Sequence, residues 1–396
     1  MKSFLSIFTC LLPLLITANN PEGVADGNNK FAFKLFHQMQ GGTTPQNQFY
    51  SPFSISTALA MVYAGARNET ALQMSQTMNF RTDDKFHSDY KHLLDMLDQG
   101  PDAKIRLNIA NGLWAQQDFR FLDAYFDLVK SKYHPELKNV DFTNNILREA
   151  TRREINAWVE KNTNDKIKNI LSQGDLTSLT RLVLVNAIYF YGDWASPFKK
   201  ASTKTKAFSM MDGTSDTMPF MNQKNRYNYF EDSKIQAIEI PYMDSKASMV
   251  IFLPKKTNGI ADPGKSLDYT YYQEIIESME FNDVYLSLPK FKLDFKLELG
   301  NTLSQMGMPL AFSPEADFSG MTGKRDLFIS KVIHQAFIKV DEKGTEAAAA
   351  TAVAMSLGMA PQHIEPKIFN ADHPFVFLIR DNTTGSILFM GEILKP

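Results

Sequence analysis

Between Glu342 and Ala352 the chain reads Glu-Lys-Gly-Thr-Glu-Ala-Ala-Ala-Ala-Thr-Ala, and no other segment limits the fold so tightly. An alternating strand, Val332 to Val340, leads into it, and a loop running to about Pro366 follows. Beyond Glu346 the side chains are small and uncharged. Taken as a strand, one face carries Thr345, Ala347, Ala349, Thr351, Val353 and Met355, because successive residues alternate between faces. Such a face can enter a packed sheet without forcing it apart. An exposed loop able to become a central strand is a device for a large conformational change. Four consecutive alanines also suit a helix, since Ala has the highest helix propensity, and propensity alone does not choose.

The chain has 396 residues, 44% hydrophobic and 22% charged, an ordinary globular composition. Length alone suggests two or three domains. No Pro/Gly/Ser-rich linker, charge block or internal repeat divides it, so one domain over 19–396 is expected. A chain this long buries roughly three quarters of its unfolded surface, and its core needs no metal or disulfide staple. A net charge of -2 gives no electrostatic reason for a nucleic acid or anionic membrane partner.

Residues 1–18 read as a secretory signal: Lys2, an apolar run from Phe4 to Ile16, then Thr17-Ala18 as a small-residue exit. The run is too short to span a membrane. Cleavage after Ala18 and secretion to the extracellular space are expected. The single cysteine, Cys10, lies inside this segment, leaving the mature chain without thiol or disulfide. Asn68-Glu69-Thr70 and Asn382-Thr383-Thr384 are candidate glycosylation sequons.

Periodicity supplies the elements. Phe31, Leu35, Phe36 and Met39 mark a first helix. Ser51-Pro52 opens a second, with Ser a favoured cap and Pro suited to the first helical position. Leu147 to Ile170 carries Ile155, Trp158, Val159 and Ile167 on one helical face. Ile105, Leu107 and Ile109 alternate as a strand. Leu182 to Tyr191 is nearly all apolar, the mark of a strand covered on both faces. Further strands fit Ser248 to Leu253, Val284 to Leu288 and Val332 to Val340. Pro374 to Ile379 and Ile387 to Ile393 form a hairpin. Helices fill the first third and strands the last, which makes the class α+β.

Enzyme signatures are missing. There is no Gly-x-Ser-x-Gly elbow, His-Glu-x-x-His or Cys-x-x-Cys. The seven histidines are scattered, and His87 and His92 do not share a helix face, so neither a metal nor a cofactor is expected. Asn186 and His334 each interrupt an apolar strand, where an unpaired polar group costs ~1–3 kcal/mol, and must find partners.

Five blocks resemble the serpins, in order, from about Asn28 to Pro396. Asn47-Gln48-Phe49-Tyr50-Ser51-Pro52-Phe53-Ser54-Ile55-Ser56 is similar to the family's entry into its second helix. Leu184 to Phe190 with Gly192, Trp194 and Phe198 resembles the central strand and breach. Glu342 to Ala352 resembles the hinge of the reactive-centre loop. Phe369 to Phe375 and Gly385 to Gly391 resemble the C-terminal signature.

The resemblance implies about nine helices around three β-sheets with an exposed reactive-centre loop, residues 342–366. It implies a hinge formed by Glu342, Gly344, Thr345, Glu346, Ala347, Ala348, Ala349, Ala350, Thr351 and Ala352. Ser51, Ser54, Asn186 and His334 would form a shutter, and Trp194 would sit at the breach. The reactive bond lies sixteen residues after the Glu that opens the hinge, which places it at Gly358–Met359. Met355, Ser356 and Leu357 then supply recognition.

The implied activity is not an enzyme's but that of a monomeric suicide inhibitor. It would trap a serine protease as a covalent acyl complex while Thr345 to Leu357 insert into the main sheet. No Arg or Lys lies between Ala347 and Pro366, so the bait suits elastase- or subtilisin-like enzymes rather than trypsin-like ones. Leu357 would also suit papain-like cysteine proteases, a cross-class alternative. The other alternative is a non-inhibitory carrier, storage protein or chaperone. The mixed charges of Asp83 to Asp98, where some relatives bind heparin, speak against a glycosaminoglycan partner.

Overall fold

Ser51 opens its helix through the expected chemistry: its side chain accepts a hydrogen bond from the Ser54 N–H at 3.1 Å, and Pro52 takes the first helical position. The computed structural model describes residues 20–40, 46–98, 105–257, 267–345 and 365–395. Its helices are α1 (Pro21–Gln40), α2 (Pro52–Tyr63), α3 (Asn68–Met78), α4 (Phe86–Leu97), α5 (Asp123–Tyr133), α6 (Asn145–Asn162), α7 (Tyr269–Glu277), α8 (Gly300–Gln305) and α9 (Ser319–Thr322). The strands of the first half are β1 (Gln48–Tyr50), β2 (Ile105–Gln116), β3 (Glu136–Val140) and β4 (Leu182–Asp193). Then come β5 (Lys204–Ser209), β6 (Ser215–Glu231), β7 (Ile235–Pro241), β8 (Ala247–Pro254), β9 (Glu280–Pro289) and β10 (Phe291–Glu298). The last five are β11 (Lys331–Asp341), β12 (Gly344–Thr345), β13 (Lys367–Asn370), β14 (Phe375–Asp381) and β15 (Ile387–Ile393).

Six strands form the main sheet, in the order β10-β11-β12-β4-β2-β3. The others run β1-β15-β14-β8-β7-β6-β9-β13, with β5 beside β6. Residues Asn228–Glu231 of β6 pair with β7, while Phe220–Tyr229 pair with β9. The long β6 thereby joins two sheets into one hydrogen-bonded array, and with the main sheet they make three.

The apolar run of β4 is buried on both faces, as its composition predicts. Leu184, Ile188 and Phe190 belong to the large core shared with α1, α2 and β15, whereas Val183, Val185, Ala187 and Tyr189 join a second cluster under α6. One helix is shorter than its pattern. α6 ends at Asn162, and Asn164 and Asp165 adopt left-handed backbone, yet Ile167 and Ile170 remain fully buried in the linker that follows. The apolar spacing persists there because the linker lies against the same sheet face as the helix.

Candidate functional site: a slit in the main sheet

β4 and β11 run parallel and are hydrogen-bonded from Val183 opposite Lys331 to Tyr189 opposite Phe337. Beyond that point they part, and β12 fills the gap. Thr345 lies opposite Val340 on one side and Gly192 on the other, antiparallel to both. The relative register of β4 and β11 is the same above the split as below it. Separating the two strands sideways is therefore enough to admit more chain; neither has to slip.

The upper mouth is fixed by packing and charge. Trp194 stacks on Tyr242 with ring centroids 4.6 Å apart, and its Nε1–H donates to the Asp341 carbonyl at 3.0 Å. The Tyr242 hydroxyl lies 2.8 Å from Thr345 Oγ1, and Thr345 is fully buried. A Cβ on Gly344 would stand 2.2 Å from the Gly192 carbonyl oxygen, so only glycine allows this approach. Glu342 is buried beside them. One carboxylate oxygen accepts from Lys290 Nζ at 2.8 Å and the other from Thr203 Oγ1 at 2.8 Å. Burial opposes its ionisation, but the Lys290 ammonium and the hydrogen bonds outweigh that and hold the carboxyl below its ordinary range.

Deeper in the slit, one polar network crosses four strands and a helix. The Ser51 N–H donates to His334 Nε2 at 3.0 Å, which leaves the ring proton on Nδ1, facing Asn186 Oδ1. The Asn186 amide in turn donates to Ser54 Oγ and Asn111 Oδ1. Ser51 Oγ donates to the Leu388 carbonyl at 2.6 Å. Burial pushes the His334 pKa down to about 3, so the imidazole is neutral and each ring nitrogen has its partner. An added proton on Nε2 would face the Ser51 N–H.

The residues expected to form a shutter, Ser51, Ser54, Asn186 and His334, thus meet, and Trp194, expected at a breach, packs at the upper mouth of the slit. Sequence reasoning missed Asn111, Tyr242, Lys290 and Thr203. Asn111 had a signal, a second amide inside a strand; the others have no local pattern. Thr345 requires a correction. It was expected to be the first residue to insert, but it already sits between β11 and β4, because the Glu342 ion pair and the Gly344 approach fix the chain just before it. The hinge residues Glu346 to Ala352, the recognition residues Met355, Ser356 and Leu357 and the bond Gly358–Met359 lie outside the described residues, as does the 1–18 signal.

The sequon amides are engaged in the folded chain. Asn68 Nδ2 donates to Asp317 at 2.6 Å, and Asn382 Nδ2 donates to the Ser245 carbonyl and to Ser248 Oγ. In the Asp83 to Asp98 region, Lys91 pairs with Asp95, and Arg81 pairs with Asp83 and Asp89.

The family model for serpins, described as serine protease inhibitors, matches residues 26–396. A leukocyte elastase inhibitor of Xenopus laevis is 41% identical over 95% of this chain and 100% of its own length. A highly specific serpin of the insect Tenebrio molitor has a solved structure that superposes with a TM-score of 0.81 at 29% identity, covering 94% of this chain and 98% of that one. Human thyroxine-binding globulin, solved with its ligand, gives 0.84 at 30% identity, covering 95% and 99%.

Proposed function

This chain belongs to the serpin family, and from that premise we propose that it traps serine proteases by driving its reactive-centre loop into the slit between β4 and β11. The seated β12 is the observation that carries the proposal. Continuing its register places Ala349 between Ile188 and Ala336, Thr351 between Asn186 and His334, and Val353 between Leu184 and Val332. The Thr351 hydroxyl would arrive at the shutter, able to replace bonds that opening breaks. Ala348, Ala350 and Ala352 would turn to the opposite face, beneath α6, with small side chains that ask little room there.

The chemistry belongs to the protease. Its serine oxygen attacks the Gly358 carbonyl carbon, the amine of Met359 leaves, and an ester joins the two proteins. Insertion of Glu346 to Leu357, a dozen residues at ~3.3 Å each, then carries the enzyme about 40 Å. A misplacement of 1 Å can cost ~10²-fold in rate, so the displaced enzyme fails to hydrolyse its own ester. This reading requires the strands to separate by about 4.8 Å, one strand spacing.

A bait without nearby cations and with Gly358 at the primary position favours elastase- or subtilisin-like targets, in keeping with the name of the Xenopus relative. Secretion after cleavage at Ala18 is part of the proposal and rests on the sequence of residues 1–18. N-terminal sequencing of the exported protein checks it.

Incubation with pancreatic elastase, subtilisin, papain and trypsin tests the function. The expected product is a denaturant-resistant complex with elastase or subtilisin and a released fragment beginning at Met359. Ala349→Arg, which would bury an unpaired cation at a cost of several kcal/mol, should turn the inhibitor into a substrate. Cleavage without any complex would instead support the carrier or storage alternative.

A further inference from the structure

At its foot the slit is closed by groups that reach across it. The linker 163–181 between α6 and β4 is bound to α6: the Leu171 N–H donates to Asn156 Oδ1 at 2.8 Å, and its carbonyl accepts from Asn156 and Arg152. From this linker Asp175 faces the far side. One carboxylate oxygen accepts from Lys331 Nζ on β11 at 3.0 Å; the other lies 3.6 Å from Lys296 Nζ on β10 and also accepts from the Ser172 N–H at 2.7 Å. Beside it, Ser330 bonds twice across the slit. Its N–H donates to the Leu182 carbonyl and its Oγ accepts from the Arg181 N–H, each at 2.9 Å.

We propose that Asp175, with Lys331, Lys296 and Ser330, forms a latch that sets how fast the slit finishes opening, and hence how the inhibitor divides between trapping and release. The proposal rests on the insertion reading above. The upper mouth is already parted by β12, so opening runs downward, and the foot is the last part to yield. In the continued register Met355 falls level with Leu182 and Ser330, so the loop cannot complete its travel until both Ser330 bonds break. Asp175, tied to α6, and the two lysines, carried by β10 and β11, stand on opposite sides of that final gap. These residues are positioning residues for the conformational step and touch no reacting atom.

The test uses the intact protein and a synthetic peptide of the sequence Glu346 to Leu357, whose uptake into the slit is followed by native electrophoresis. Asp175→Asn and Ser330→Ala should each speed uptake roughly three- to fivefold, the range that one partly exposed polar link supports. Lys331→Arg, which keeps the link, should match the wild type. The loop-cleaved Asp175→Asn protein should melt with the cleaved wild type, because the latch is already open there; a general structural role would lower both forms. Unchanged or slower uptake in the variants overturns the latch while leaving the insertion reading intact. Absence of peptide uptake and of any protease complex in the wild type overturns both.

Discussion

His334 and Glu392 are buried titratable groups whose shifts have opposite consequences. The folded pKa of His334, about 3, is below the ordinary value of 6.5. The unfolded chain therefore binds the proton first, and stability falls as pH drops below 6.5, by about 2 kcal/mol at pH 5. Urea titrations of wild type and His334→Gln should converge across that range; a constant gap would contradict a His334 held neutral by burial. Burial pushes Glu392 up to about 7, while Gln40 supplies a weak hydrogen bond at 3.4 Å. Its proton is favoured in the fold, so the contribution is complete below pH 4.5 and disappears as pH rises through about 7. Glu392→Gln should accordingly exceed the wild type by about 3 kcal/mol at pH 8 and equal it at pH 4. Equal stability at pH 8 would mean that the carboxylate finds solvation at that site.

Among elements, the mouth of the slit makes the next prediction. Truncation in Lys290→Ala leaves the buried Glu342 carboxylate without its ammonium. The lysine is about one third exposed, which limits the loss to about 1 kcal/mol. The more specific expectation is quicker uptake of the loop peptide, measured as above, because Glu342 fixes the chain entering β12; unchanged uptake would remove the pair from the gate. β4, β11 and the β14–β15 hairpin were legible because burial on one or both faces leaves a periodic pattern. The linker after α6 was misread as helix for the same reason: Ile167 and Ile170 are buried, and burial rather than helicity sets apolar spacing. Ser51 revealed itself by its cap and Asn186 and His334 by polarity within apolar strands. Tyr242, Lys290 and Thr203 were not legible, since their roles arise only where distant segments meet around Glu342. The place of Thr345 was hidden too, because sequence identifies a strand-compatible face without saying how much of it is already paired.

At the scale of the whole molecule, the claim is that the main sheet of the folded chain is parted only at its upper mouth and that completing it with the loop releases stability. Cleavage at Gly358–Met359 frees the loop to insert without dragging a protease. About a dozen residues then gain strand hydrogen bonds, each worth ~1 kcal/mol net, and Val353 and Met355 become buried. For a chain of this size that corresponds to a rise in melting temperature of at least about 10 °C. The most direct measurement is the melting temperature of the intact protein beside that of protein nicked at this one bond. A higher value for the nicked form is the result predicted; an equal or lower value would contradict insertion between β4 and β11.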